Sequence, residues 1–429
     1  MKSPIEHLKT IFPAMLAVMI LWEHCLLAGT QLPRIMTSPG PDGCRFTAVD
    51  STGSRTFMPI GNSLVLLAGP EKTPDHALFS RGFYDPGRMD RTLTDMSAKG
   101  YTVVRVFIFK GRIFVRHIIE PVVILTNSTG ELNSVYMSNF FDFLDRARDH
   151  WLHVQVVLDG YPDSAYYLSL ATNGSPDVDP MNREDMAAGA IEAKRQYIER
   201  VVRAVKDRGH LQTVFCWEIS NEPSFSTEQK PFSMSRGVVG TAAGIFDMSL
   251  PNSRQACADA NFSNSFCTGR KAVRSVDPQA LVSVSVFSHG AVRKAGLETA
   301  GLLPIDMKNK LWPPRFRLLY AWLDVVDFHA YISKSNPATP RQILEELDFA
   351  QIAERAVKPT ILGEFGTHRK EQPNTITAAQ ELHAWRQDFL DAGFAGANLF
   401  TWDTTNMSRV TAIEDGGIVG DRLSPIAGK

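Results

Sequence analysis

Two short stretches carry the chemistry available to this chain. Asn221-Glu222-Pro223 closes an apolar run that begins at Val214, and Gly363-Glu364-Phe365-Gly366 closes another that begins at Pro359. An apolar, β-leaning run that stops on a carboxylate reads as a buried strand delivering an acid to a site at its C-terminal edge. Pro223 blocks further pairing of the first strand. Two carboxylates on opposite walls suit the hydrolysis of a glycosidic bond. One donates a proton to the leaving oxygen, and the other acts as nucleophile or base at the sugar carbon.

Other polar residues stand where apolar runs end: Asn62, Arg105, Asp159 with Tyr161, Ser288 with His289, His329 with Tyr331, and Trp402 with Asp403. Arg105 and Tyr331 are placed to hydrogen-bond Glu364 and keep it ionised. Desolvation and that nearby charge are expected to keep Glu222 protonated. Asn221 can hold a sugar hydroxyl beside the acid, and Trp402 offers a flat apolar floor for a sugar ring. Arg105 also fits a structural ion pair beneath the site.

The elements that must position these groups alternate along the chain. Strands are predicted over Thr102–Phe109, Val154–Leu158, Val214–Ile219, Leu281–Phe287, Val325–His329, Pro359–Leu362 and Ala397–Thr401. Amphipathic helical patterns lie between most of them, such as Ile191, Ile198, Val202 and Val205 on one face. Thr377 is expected to cap the helix carrying Leu382, Trp385 and Phe389. With an arm running into Ile60-Gly61-Asn62 as the first strand, about eight strands emerge. That is the signature of a closed parallel (β/α)8 TIM barrel of class α/β. Arg45–Val49 and Thr56–Ile60 read as a short N-terminal hairpin capping one end.

The 429 residues, net charge of -1 and 44% hydrophobic content fit one large barrel domain over residues 44–429. Near-neutral charge argues against a nucleic-acid partner. Lys2 and Lys9 precede an apolar run, Ile11–Trp22, that is too short to span a bilayer; residues 1–29 read as a signal peptide. Residues 30–43 read as a flexible lead-in. A secreted or periplasmic monomer with no stable membrane span is expected. Cys257 and Cys267 sit in a polar, loop-like segment and could close a disulfide, whereas Cys216 reads as a buried thiol. No nucleophile elbow or phosphate loop occurs, and no cofactor or metal is expected.

Together, Trp217–Pro223, Asp327-Phe328-His329-Ala330-Tyr331, Ile361–Gly366 and Leu399–Trp402 resemble the retaining glycoside hydrolases of clan A. The nearest likeness is to glycoside hydrolase family 5, the cellulase and mannanase group, and it extends over nearly all of the chain after the leader. The resemblance implies Glu222 as acid/base, Glu364 as nucleophile, retention at the anomeric carbon, and an oligo- or polysaccharide substrate. It carries Arg105, Asn221, His329, Tyr331 and Trp402 over as supporting residues. One position departs: cellulase-like members show a histidine after the third strand, where this chain has Leu158-Asp159-Gly160-Tyr161. The expected activity is therefore endo-type cleavage of a β-linked glucan or mannan. An exo-acting glycosidase, a transglycosylase and a non-catalytic carbohydrate-binding barrel are the competing readings.

Overall fold

A strand buried on both faces needs cover on both sides. Ile60–Leu64, Val103–Phe107, His153–Val157 and Thr360–Thr367 are buried at every position. The computed structural model describes residues 31–40, 43–65, 78–108, 129–174, 177–292, 310–334, 337–404 and 408–426; the expected leader lies outside them. In chain order the strands are β1 (Arg34–Ser38), β2 (Arg45–Asp50), β3 (Gly53–Phe57), β4 (Ile60–Leu64), β5 (Val103–Phe107), β6 (His153–Val157), β7 (Val214–Asn221) and β8 (Phe225–Ser226). They continue with β9 (Val238–Thr241), β10 (Gly244–Asp247), β11 (Val282–Phe287), β12 (Leu311–Trp312), β13 (Val325–Ile332), β14 (Thr360–Thr367) and β15 (Ala397–Leu399).

Eight of these, β4, β5, β6, β7, β11, β13, β14 and β15, pair in parallel in chain order, and β15 returns to β4 to close a barrel. A helix follows each barrel strand. The principal ones are Pro86–Ala98, Ser134–Asp149, Ala188–Asp207, Pro251–Val276, Phe316–Trp322, Pro340–Glu346, Thr375–Asp391 and Glu414–Arg422. The expected (β/α)8 architecture is present. Helix starts follow capping chemistry: Asp85 accepts from the Arg88 amide at 3.0 Å, and Thr339 and Gln342 form a reciprocal capping box. The helix Thr375–Asp391 is capped by Asn374, one turn before the expected Thr377, which instead donates its backbone N–H to it.

The N-terminal end of the barrel is sealed by the antiparallel sheet β1–β2–β3. Residues 34–38, expected within a flexible lead-in, form β1 and pair with β2 from Arg34↔Val49 to Ser38↔Arg45. The hairpin is thus a three-stranded sheet. Alternation in β1 and β2 places Ile35, Phe46 and Ala48 in one apolar cluster with Val103, Phe215, Leu281, Val325 and Ile361. Burial of that surface is worth roughly 25 cal/mol per Å². The sheet is tied down at its edge by the Pro33 carbonyl, which hydrogen-bonds His153 Nε2 at 2.9 Å.

Cys257 and Cys267 do not lie in a loop. Both belong to the 26-residue helix Pro251–Val276, ten residues apart and unbonded. Ten residues of helix rise about 15 Å, far beyond the Cα separation of roughly 6 Å that a disulfide spans. The buried face of this helix mixes core residues, Cys257, Ala258, Phe262, Phe266, Ala272, Val273 and Val276, with the polar Asn261 and Ser265 and with Gly269. Gly269 lets the helix lie close to β7, since a Cβ there would come within 2.6 Å of Ile219 Cδ1. Cys216 is a buried thiol, and burial pushes its pKa well above the usual value. Among the described residues no helix is long and apolar enough to cross a membrane.

Candidate active site

β5, β7 and β14 bring Arg105, Glu218 and Glu364 together. Arg105 lies wholly inside the barrel and donates Nε and Nη2 to the two oxygens of Glu218, at 2.8 and 2.7 Å. Its Nη1 donates to Glu364 Oε1, and Nη2 also reaches Asn221 Oδ1 at 2.7 Å. Glu218 takes two further bonds, from Ser285 Oγ at 2.6 Å and Gln155 Nε2 at 2.9 Å. Gln155 also donates to Asp327 Oδ2 at 2.7 Å and accepts from Asn398 Nδ2 at 3.1 Å. A buried charge is tolerable only when paired and hydrogen-bonded. This polar layer meets that condition around Glu218.

Above it stand the paired carboxylates. Glu222 adopts a left-handed backbone, with φ of 49°, as the chain leaves β7. That conformation is strained for a residue with a side chain and is frequent at functional sites. It is held by the Glu222 N–H donating to the Ser285 carbonyl at 3.0 Å, and by Asp159 Oδ1 accepting from the Asn221 N–H at 3.1 Å. His329 Nδ1 lies 2.8 Å from Glu222 Oε1 and 3.6 Å from Glu364 Oε2. One oxygen of each carboxylate and a ring nitrogen of His329 all fall within 4.8 Å of one another. The Tyr331 hydroxyl donates to Glu364 Oε2, and the Arg409 guanidinium covers the Tyr331 ring at 4.2 Å. The Glu222 side chain is 34% exposed, while that of Glu364 is 6% exposed.

Charge in this cluster is shared among its members. Burial opposes a charged His329, yet Glu364, Glu222 and Asp327 around it push its pKa up to about 9. Burial would raise the Glu222 carboxyl, but the His329 hydrogen bond and charge, and then Arg105, hold it below its usual value. These shifts favour a charged His329 whose Nδ1 donates to Glu222. Desolvation raises Glu222 as expected, but the His329 hydrogen bond and charge, and then Arg105, outweigh it, so the expected upward shift is not found. Burial and then Glu218 raise Asp327 to about 7. Burial, Glu364 and Glu222 raise the Tyr331 hydroxyl well above its normal range.

No family model matches the chain, and no curated protein matches it. Solved structures do. The endo-1,4-β-mannanase of Rhizomucor miehei superposes with a TM-score of 0.61 at 15% identity, covering 91% of this chain and 97% of that one. The hyperthermostable endo-1,4-β-D-mannanase of Thermotoga petrophila RKU-1 gives 0.54 at 14% identity, over 85% and 98%. A glycoside hydrolase family 5 mannosidase from Rhizomucor miehei gives 0.51 at 14% identity, over 86% of each chain. This chain shares their (β/α)8 barrel fold.

Within this barrel, Arg105, Asn221, Glu222, His329, Tyr331 and Glu364 converge as expected. Others do not. Trp402 is buried against Tyr101, edge to face at 6.1 Å, and is no floor for a sugar. The strand β15 ends at Leu399, and Phe400, itself largely buried, stands beside Tyr331. Its ring clusters with Val65, Phe107 and Val157 and lies 6.3 Å from Tyr331, beside a cis peptide to Thr401. Asn62 is buried near the Tyr101 hydroxyl, and its neighbour Ser63 is the residue that faces Arg105. Asp159 serves the backbone of Asn221, as above. Tyr161 packs on Ala171, Ala187 and Ala190. His289 is wholly buried at the start of the turn His289–Val292, while its neighbour Ser288 lines a cavity of about 200 Å³ with Phe287, His329 and Tyr331.

Sequence reasoning missed Glu218, Gln155 and Asp327. Their signal was available as polar residues inside runs buried on both faces. Glu218, Asp327 and His329 come close enough to invite a metal ion. Both oxygens of Glu218 already accept from Arg105, however, and a divalent cation there would face that guanidinium.

Proposed function

We propose that this protein is a retaining glycoside hydrolase acting on a β-1,4-linked mannan by double displacement. One observation carries the reading: Glu222 and Glu364, toward the C-terminal ends of β7 and β14, present oxygens within 4.8 Å of each other. Retaining enzymes place their carboxyl groups about 5–5.5 Å apart, whereas inverting ones leave roughly 6.5–9.5 Å for a water. Glu364, oriented by Arg105 and Tyr331, attacks the anomeric carbon. Glu222 gives a proton to the glycosidic oxygen as that bond breaks. Glu222 then takes a proton from the water that cleaves the glycosyl ester on Glu364, which regenerates both groups. The preference for mannan over glucan draws on the mannan-cleaving enzymes among the structures that share this fold. The basic and apolar leader supports secretion, as an enzyme of extracellular polysaccharide requires.

A panel of mannans and glucans with product sizing tests the substrate; mannan is expected to yield short oligosaccharides. Glu364→Ala with azide supplied tests the mechanism. The expected product is a glycosyl azide of inverted configuration, and activity that survives this substitution unaided would overturn the role given to Glu364.

A further inference from the structure

We propose that Asp327 is a positioning residue for the catalytic proton, fixing from beneath His329 which ring nitrogen faces Glu222. The inference rests on the glycosidase reading of Glu222 and Glu364.

Asp327 and His329 stand two residues apart on β13, so both project to the same side of the strand. Both are buried inside the barrel. Asp327 Oδ2 is occupied by Gln155, as described, but Oδ1 has no hydrogen-bond partner among the described residues. It lies 3.7 Å from His329 Nε2, which also lacks one. Buried polar atoms are rarely left unpaired, and here an acceptor and a potential donor face each other. The neighbouring strand is hollowed to admit this carboxyl. A Cβ on Gly363 would fall 1.7 Å from Asp327 Oδ1.

The charged groups around the ring come from four strands: Asp327 on β13, Glu222 and Glu218 on β7, Glu364 on β14 and Arg105 on β5. Gln155 on β6 and the Tyr331 hydroxyl add neutral dipoles. Asp327 Oδ1 lies 3.7 Å from Nε2, whereas Glu222 and Glu364 share Nδ1; a Glu218 oxygen also comes within 4.8 Å of a ring nitrogen, but both Glu218 oxygens are taken by Arg105. When Asp327 is ionised, its carboxylate at Nε2 retains hydrogen there, so the proton that leaves the imidazolium is the one on Nδ1. That proton passes to Glu222 across the 2.8 Å hydrogen bond, and His329 becomes neutral with its remaining N–H toward Asp327. Glu222 then delivers a proton to the leaving oxygen. The histidine and the acid hold one proton between them until that moment, and nothing else is gained or lost.

Asp327→Asn keeps the shape and an oxygen for Gln155 while presenting an amide N–H₂ to Nε2. The variant is expected to move the alkaline limb of the kcat/KM profile on soluble β-1,4-mannan down by about one pH unit or more, with KM on the acid side unchanged. An unmoved limb in an active, folded variant overturns the proposal. Nitrogen-15 NMR of the His329 ring, assigned by comparison with His329→Gln, provides a readout independent of activity. In the wild-type chain both ring nitrogens should be protonated at neutral pH, with Nδ1 the first to lose its proton. A neutral ring at pH 7, or Nε2 deprotonating first, overturns the proposal even if Asp327→Asn fails to fold. A wild-type protein inactive on every β-glycan would sink the hydrolase reading, while the nitrogen titration still decides what Asp327 does.

Discussion

At the N-terminal end of the barrel, Phe46 and Phe215 meet edge to face at 5.1 Å under the β1–β3 sheet. A few residues further along the same strands, Arg105 is clamped between Glu218 and Glu364. The first end is stabilised by apolar area, which is non-directional and tolerates small shifts. The second buries charges whose desolvation is large and is offset only while every partner stays in place. One end holds the barrel closed, and the other spends that stability on placing groups that would rather be in water.

The contrast can be broken from either side. The largest expected effect is on chemistry alone: Glu222→Gln should lower kcat on mannan by roughly 10²–10⁴-fold, with an unfolding midpoint close to wild type. A Tm drop of many degrees would show that the acid also supports the fold. Next, Arg105→Met should cost about 3–5 kcal/mol in chemical denaturation, because it strands Glu218 as a buried, unpaired charge, and should abolish activity as well. Phe215→Ala at the opposite end should cost a similar 3–5 kcal/mol, yet leave kcat per folded molecule unchanged. If both variants lose activity equally, the two ends are not separable.

His153 gives the sealed end a pH signature. Burial lowers its pKa to about 4, against the Pro33 carbonyl that favours its charged form. A folded pKa below the ordinary 6.5 means the unfolded chain binds the proton first. Stability is full above pH 6.5 and declines as pH falls toward 4, by about 3 kcal/mol at most. Thermal melts across that range should show the loss, and His153→Gln should flatten it. The smallest effect is expected beside Tyr331. Phe400→Leu should raise KM about two- to tenfold through the lost aromatic face, with little change in Tm.

Much of the working end was legible from residue order. The buried runs that lead into Glu222 and Glu364 declare themselves, although β14 continues past Glu364 to Thr367, and His329-x-Tyr331 places two supports on one side of β13 by simple alternation. What escaped was whatever depends on where an element ends or what lies across the barrel. The run Ala397–Thr401 reads as one strand, but pairing stops at Leu399, and Trp402 turns inward against Tyr101. Asp327 was visible as an acid in a buried run, yet its partners sit on β6 and β14, distant in sequence until the barrel closes. The helix Pro251–Val276 hid for another reason. Its apolar face (Ala258, Phe262, Phe266, Val273 and Val276) is interrupted by Asn261, Ser265 and Gly269, weak helix formers that break up the period, and this is why its cysteines read as a loop.

The hollow opposite Asp327 links two positions that lie 36 residues apart in the chain (363 minus 327). A side chain can enter at 363 only if the acid at 327 shortens, and an acid can enter at 327 only while 363 stays bare. Neither position can drift alone. Among related barrels the two should be inherited together or replaced together, so that a single glycine beside the nucleophile records whether an acid lies beneath the histidine.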